Sequence, residues 1–515
     1  MQATATPSLK ELLGVRFMPR LNVDQFVDEE QYRTITRELV TECHVLGFCL
    51  FGGTAERVIA TIRELQLISN DSLSRPQLFS SDSEWGLPMR LREGGTEFPD
   101  AMAIARSGDC GMAEEIGEAI GEEMRALGIC WNFAPVCDVN SNPKNPIINT
   151  RSFSSDPVIA GEFASATIRG LRKARVASTA KHFPGHGDTS VDSHRELPQI
   201  HLTYEGFRNR ELKSFIRAIE EGVDSVMLGH IAVPSLANHF GASETEKWNP
   251  ATLSRAIVQN LLRDTLHFKG VIVTDAMEMH AITKHYGDRE AALLAIKAGV
   301  DVVLMPVDTK AALELALSNV DGLSTKELQL SYDRIMDLTG RFVATSFDWR
   351  DEYPVHEALA RRAAKLGIEL NGDTNVFRDG PVIIVADDRE ATQERASELQ
   401  SLLRKNGFDL YPTILTPSGV VEARLPHTFS IATLHRARGY LGGADSVVTM
   451  PVALRTLSKR IQDEGRRLDG FLMIGSPYLD DELEESNPRT IVKTYSESRY
   501  SISEAVNVIA SVSMT

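Results

Sequence analysis

The sequence predicts an α/β protein: a (β/α)8 TIM-type barrel followed by a smaller α/β sandwich domain. Two observations lead there. Eight short apolar runs alternate with helical patterns over about 345 residues, as a barrel of this size with insertions requires. Several of those runs are apolar throughout, as strands covered on both faces must be. A doubly wound open sheet is the competing pattern, but no GxGxxG follows the first strand.

In chain order, the strand candidates begin at Val15 (VRFM), Val45 (VLGFCLF), Gln77 (QLFSS), Ile129 (ICWNFAP), Val176 (VASTAKHF), Val223 (VDSVMLG), Val271 (VIVTD) and Asp301 (DVVLMP). Amphipathic stretches at Glu29–Glu42, Thr54–Leu67, Met112–Leu127, Pro157–Ala174, Thr203–Glu221, Pro250–Leu266 and Arg289–Ala298 read as the intervening helices, and 323–345 as a closing one. A break follows near Asp348–Pro354. His356–Leu370 reads as a helix, and a new α/β unit begins at PVIIVADD (381–388), with SVVTM (446–450) and FLMIGSP (471–477) as later strands. The expected organisation is a catalytic barrel over 1–346, a helical linker over 347–374 and a C-terminal α/β domain over 375–515.

Composition narrows the function. The 515 residues include 55 Lys+Arg and 71 Asp+Glu, a net charge of −16, with 42% apolar and 24% charged residues. That is a globular composition, and its acidic balance argues against a nucleic-acid partner. No apolar run reaches the length of about 18 residues that a membrane span needs. The first twenty residues hold no run of signal-peptide length. Five cysteines without a CxxC pair fit reduced thiols, hence an expected cytoplasmic location.

Polar residues gather where strands end. They are Asp82 and Glu84 after the third candidate, Asn132, Asp138 and Arg151 after the fourth, and Lys181-His182 after the fifth. His230 follows the sixth and Asp275 the seventh. Barrel enzymes carry their chemistry at that rim. Asp275 has two readings: a helix N-cap, or a nucleophile able to form a covalent glycosyl-enzyme. The stretch KHFPGHGDTSVDSH (181–194) also has two. His182, His186, Asp188, Asp192 and His194 are ligand types for zinc or iron. Alternatively, Lys181 and His182 bind substrate hydroxyls, while Asp192 and His194, two residues apart in an extended loop, form a dyad in which the carboxylate raises the basicity of the imidazole. Such a histidine can protonate a leaving oxygen and later deprotonate water.

The string KHFPGHGDT followed by DSH resembles the signature of family 3 glycoside hydrolases of the NagZ type, which are β-N-acetylglucosaminidases. DSEWGLPMRL (82–91), NFAPVCDVN (132–140), RSFSSDP (151–157) and GVIVTDAMEMHAI (270–282) agree with it, and MIGSPYLDDE (473–482) is similar to the second domain of many members. The resemblance implies a retaining exo-hydrolase that needs no metal or cofactor. In it Asp275 is the nucleophile, His194 the acid/base and Asp192 its partner, while Asp82, Arg151, Lys181, His182 and His230 lie around the sugar. It implies a saccharide substrate, terminal N-acetylglucosamine on cell-wall fragments of the muropeptide type. The alternatives are a β-glucosidase or β-xylosidase of the same family, and a metal-dependent hydrolase built on the histidines. One departure stands out: where small bacterial members read DQEGG, this chain reads Asp82-Ser83-Glu84-Trp85-Gly86.

Overall fold

A computed structural model describes residues 7–189, 197–344, 346–386, 390–411, 428–435, 454, 457–479 and 486–510. The protein is a mixed α/β protein with parallel sheets. It divides into two compact units: Met1–Thr96, Ala113–Ser141 and Ser155–Tyr353 form the first, and Glu97–Met112, Asn142–Ser154 and Pro354–Thr515 the second. Among the described residues no helix is long and apolar enough to cross a membrane.

In the first unit every strand pairing is parallel. Strands β1 (Phe17–Met18) and β9 (Val303–Leu304) pair. A second sheet runs β2 (Arg20–Asn22), β3 (Gly47–Phe51), β4 (Leu78–Ser81), β5 (Trp131–Asn132), and a third runs β6 (Thr179–Phe183), β7 (Ser225–Leu228), β8 (Val271–Thr274). Single parallel bridges link Trp131 to Ala177 and Val273 to Val302. All eight sequence candidates hold a strand, and β2 is an addition just past Pro19. One apolar cluster draws Met18, Cys49, Leu78, Trp131, Met227, Val273 and Leu304 from seven of these strands. The buried Trp131 indole keeps its polar edge satisfied, donating to Thr179 Oγ1 at 2.9 Å and Ser225 Oγ at 2.8 Å, as a buried N–H must.

The helix expected over Thr203–Glu221 is two helices, Tyr204–Asn209 and Glu211–Glu220, broken at Arg210 (φ −125°, ψ −80°). Helices Cys110–Ala126 and Pro157–Lys173 approach through glycine: a Cβ on Gly170 would stand 2.1 Å from Glu114 O.

Among the described residues the second unit holds a six-stranded sheet. Its order is β10 (Glu369–Asn371), β15 (Thr490–Lys493), β14 (Arg467–Gly475), β13 (Thr428–His435), β11 (Val382–Ala386), β12 (Leu410–Tyr411). Among the described residues only the β10–β15 pairing is antiparallel. Alternation along β11 sends Val382, Ile384 and Ala386 into one apolar cluster and Ile383 and Val385 into another, so both faces are covered. The helix expected over His356–Leu370 stops at Leu366. Gly367 lies against the Ala103 backbone, with a would-be Cβ 2.8 Å from Ala103 O, and residues 369–371 turn into the edge strand. The expected strand SVVTM lies outside the described residues.

Candidate active site

At the carboxyl ends of the parallel strands in the first unit lie several buried charged side chains. Asp82 follows β4 and is 4% exposed. Its Oδ1 accepts from Lys181 Nζ at 2.9 Å and its Oδ2 from Arg90 Nη2 at 2.8 Å. Lys181, on β6, also contacts Glu84 Oε1 at 2.7 Å. Burial opposes the Asp82 charge, but Lys181 and Arg90 outweigh it and hold the carboxyl down to about 2. At the end of β5 the Asn132 amide pins the same loop twice. Its Oδ1 accepts from Ser83 N at 3.0 Å, and its Nδ2 donates to Ser83 O at 3.1 Å.

Asp138 organises the histidines. It is fully buried and accepts from the backbone N–H of His182 and, at 2.7 Å, of His186. It also meets His182 Nδ1 at 2.7 Å. Burial works against this charge too, and His182 and His186 reverse the balance, leaving Asp138 below the ordinary carboxylate range. An ionised carboxylate only accepts, so the His182 proton sits on Nδ1 and the ring is fixed in orientation. The Lys181–His182 and Phe183–Pro184 peptide bonds are cis.

His186 is 2% exposed, and its Nδ1 meets Thr189 Oγ1 at 2.9 Å. Burial pushes its pKa down to about 4, so it is neutral at pH 7. Gly187 must be glycine, because a Cβ there would stand 1.6 Å from Val139 O. Beneath this loop lies Glu211, fully buried. Its Oε1 accepts from Ser141 Oγ at 3.0 Å and Arg210 Nε at 3.1 Å, and Arg210 Nη2 reaches Asp188 Oδ2 at 2.7 Å. Burial raises the Glu211 carboxyl to about 7, with Asp138 and Asp188 adding to the rise and Arg210 opposing it.

Asp275 follows β8 and is partly exposed. Its N–H donates to Leu228 O at 2.9 Å, and its Oδ1 accepts from Ala276 N at 2.8 Å. Burial acts to raise its pKa, but His182, His230, the Ala276 N–H and Lys181 together leave it below the usual value, hence ionised. His230 is fully buried. Its Nε2 lies 3.0 Å from Ala276 O and its Nδ1 2.7 Å from Thr252 Oγ1. A carbonyl only accepts, so Nε2 carries the proton and both ring nitrogens serve the protein.

Asp82, Lys181, His182, His230 and Asp275 thus share one rim. Arg151 belongs to the second unit, where it is 6% exposed and its Nη1 donates to Ile147 O at 3.3 Å. Asp192 and His194 lie outside the described residues. Among the described residues no three His, Cys, Asp or Glu side chains group as metal ligands would. Sequence reasoning placed Glu84 and Asp138 at the rim without giving them a role, and it left out Arg90 and Glu211. The first three lie inside or beside motif segments, whereas Glu211 carries no local signal.

A rim of buried acid–base pairs around one accessible, ionised carboxylate is the equipment of a hydrolase acting on a polyhydroxylated substrate. Residues 8–338 match the Glycosyl hydrolase family 3 N terminal domain. The chain is 30% identical over 489 residues to beta-hexosaminidase A of Pseudoalteromonas piscicida, covering 86% of this chain and 81% of that protein. It is 32% identical to a beta-hexosaminidase of Pseudomonas aeruginosa, covering 64% and 94%. A glycoside hydrolase family 3 beta-N-acetylglucosaminidase from Paenibacillus sp. str. FPU-7 superposes with a TM-score of 0.80 at 28% identity, covering 98% of this chain and 97% of that one. The chain belongs to glycosyl hydrolase family 3. It is a glycoside hydrolase.

Proposed function

We propose that the protein is a retaining exo-β-N-acetylglucosaminidase that removes terminal N-acetylglucosamine from cell-wall fragments of the muropeptide type, in the cytoplasm. The observation that carries this reading is Asp275: an ionised, partly exposed carboxylate at the end of β8, beside two imidazoles. In the first step an Asp275 oxygen bonds to the anomeric carbon as the glycosidic C–O bond breaks, and His194 gives its proton to the leaving oxygen. In the second step His194 takes a proton from water, whose oxygen attacks the same carbon and releases Asp275. Asp192 steadies the imidazolium. Asp82, Lys181 and His182 bind the sugar hydroxyls. His230, with both nitrogens engaged, shapes the backbone that presents Asp275. The parallel pairings and the single bridges between sheets support a (β/α)8 barrel as the scaffold. The strand order and two-sided core of the second unit support an α/β sandwich.

The test is chromophore release from aryl β-N-acetylglucosaminide and aryl β-glucoside by wild type and Asp275→Asn, with and without chelator. Turnover of the N-acetylated sugar is expected, indifferent to chelator and lowered at least about 1,000-fold by the substitution, the scale set by losing a group that acts in the transition state. Preference for the glucoside would overturn the substrate assignment and direct attention to Trp85. Loss of activity with chelator would revive the metal reading.

A further inference from the structure

Behind the first unit's core, at the amino-terminal ends of its strands, the charges do not balance. Asp301 is fully buried and accepts from Arg263 Nη2 at 2.5 Å, Arg334 Nη2 at 2.6 Å and Ile272 N at 2.8 Å. Arg16, just before β1, feels the same carboxylate but hydrogen-bonds to a carbonyl, its Nη2 donating to Val300 O at 2.6 Å. Arg263 and Arg334 therefore share one buried carboxylate, and Arg16 beside them has no ion pair among the described residues. Arg16 is 2% exposed. The Nε atoms of Arg16 and Arg263 are buried with no hydrogen-bond partner among the described residues. A buried cation without its counter-charge costs free energy that a bound anion would recover. Burial lowers the pKa of both side chains to about 10, which leaves them cationic at neutral pH.

Arg16, Arg263 and Arg334 line a cavity of about 1030 Å³, at the opposite strand ends from Asp275. Arg255 and Lys297 stand at its exposed edge. Of the acidic side chains that line it, Asp224 and Glu327 are engaged by Arg341 and Arg255, while Asp264, Asp333 and Asp337 are exposed to solvent. We propose that this cavity is a binding site for an oxyanion of the phosphate class, either free phosphate or the phosphate group of a small monoester. A phosphate monoester carries about −1.5 to −2 at pH 7, which supplies the counter-charge that Arg16 lacks, and guanidinium forks suit its oxygens. The volume holds a phosphorylated small molecule as well as a bare ion. A bound anion would tie the segment before β1 to the helix Thr325–Phe342, which carries Arg334.

The experiment is calorimetric titration and thermal unfolding of the full chain at constant ionic strength set with sodium chloride. Inorganic phosphate is added in one arm and glucose 6-phosphate in the other. Saturable binding in at least one arm is expected, with a Tm rise that chloride does not give; the better ligand identifies the source. Arg16→Gln is expected to weaken binding at least about tenfold, the loss of one charged hydrogen bond. Should that variant fail to fold, Arg255→Gln combined with Lys297→Gln decides, because both positions are exposed. Ligands no better than chloride would overturn the proposal. So would binding that survives the double substitution at full strength, since it would belong elsewhere on the chain.

Discussion

Lys181 is the residue whose loss the first unit should feel most. It is 1% exposed and pairs with both Asp82 and Glu84. Lys181→Met removes the ammonium that both carboxylates contact, and breaking a buried pair typically costs about 3–5 kcal/mol. Urea unfolding should show that loss; a shift under about 1 kcal/mol would mean that water already screens the pair. Glu211 and His186 make a second, pH-dependent case. From pH 4.5 to about 7 folded Glu211 keeps a proton that the unfolded chain has released, so its contribution falls as pH rises. From pH 6.5 down to about 4 the unfolded chain gains a proton that folded His186 refuses, so its contribution falls as pH falls. The two slopes oppose each other. Glu211→Gln leaves His186 unopposed, and the variant should lose roughly 2–3 kcal/mol relative to wild type on acidification from pH 6.5 to 4.5. Parallel stability curves for the two proteins would contradict this.

Helices and strands answer to packing as much as to pattern. Gly170→Ala inserts a methyl where the backbone of helix Cys110–Ala126 already lies. Overpacking of this kind costs about 1–3 kcal/mol, readable as a lower urea midpoint. An unchanged midpoint would mean that the two helices part at no cost. Eight of the nine strands described in the first unit were legible because continuous apolar runs ended in Gly, Pro or Asp. Strand β13 was not, although it lies inside the second unit's sheet. Its sequence TFSIATLH interrupts the apolar run with Ser430 and Thr433, which are buried and bonded to the Val376 and Leu472 carbonyls at 3.5 Å. Sequence periodicity counts such residues as polar, but the sheet accepts them because their hydroxyls find partners. The break at Arg210 was equally hidden, since a helical pattern continues across it.

At the level of the complete chain, the second unit reclaims segments from within the first two thirds of the sequence. Glu97 is 5% exposed and is held by Arg395 at 2.7 Å and Arg499 at 3.4 Å. Asp100 N donates to Ser496 Oγ at 3.1 Å, and Met102 and Ala103 pack with Tyr495. A chain ending at Tyr353 would strand a buried carboxylate and an apolar patch. Truncation there should therefore give poor soluble yield or a transition broadened and lowered in urea. Glu97→Gln in the full chain should cost about 1–3 kcal/mol. A truncated protein that unfolds at the wild-type midpoint would show that 97–112 needs no partner.

The alternation of strand and helix, the rim residues Asp82, Lys181, His182 and Asp275 and the family itself were determined by sequence alone. Those features are local: a strand's apolar run and the polar residue that ends it are neighbours in the chain. What only the tertiary structure decided is non-local. Asp138 became the anchor of two histidines 44 and 48 residues away. Glu211 came under the 184–189 loop, and Arg151 went with the second unit. Arg263 and Arg334, from separate segments, met one aspartate. None of these pairings leaves a periodic or compositional trace, because burial and charge partnership are set by which segments the fold brings together in space.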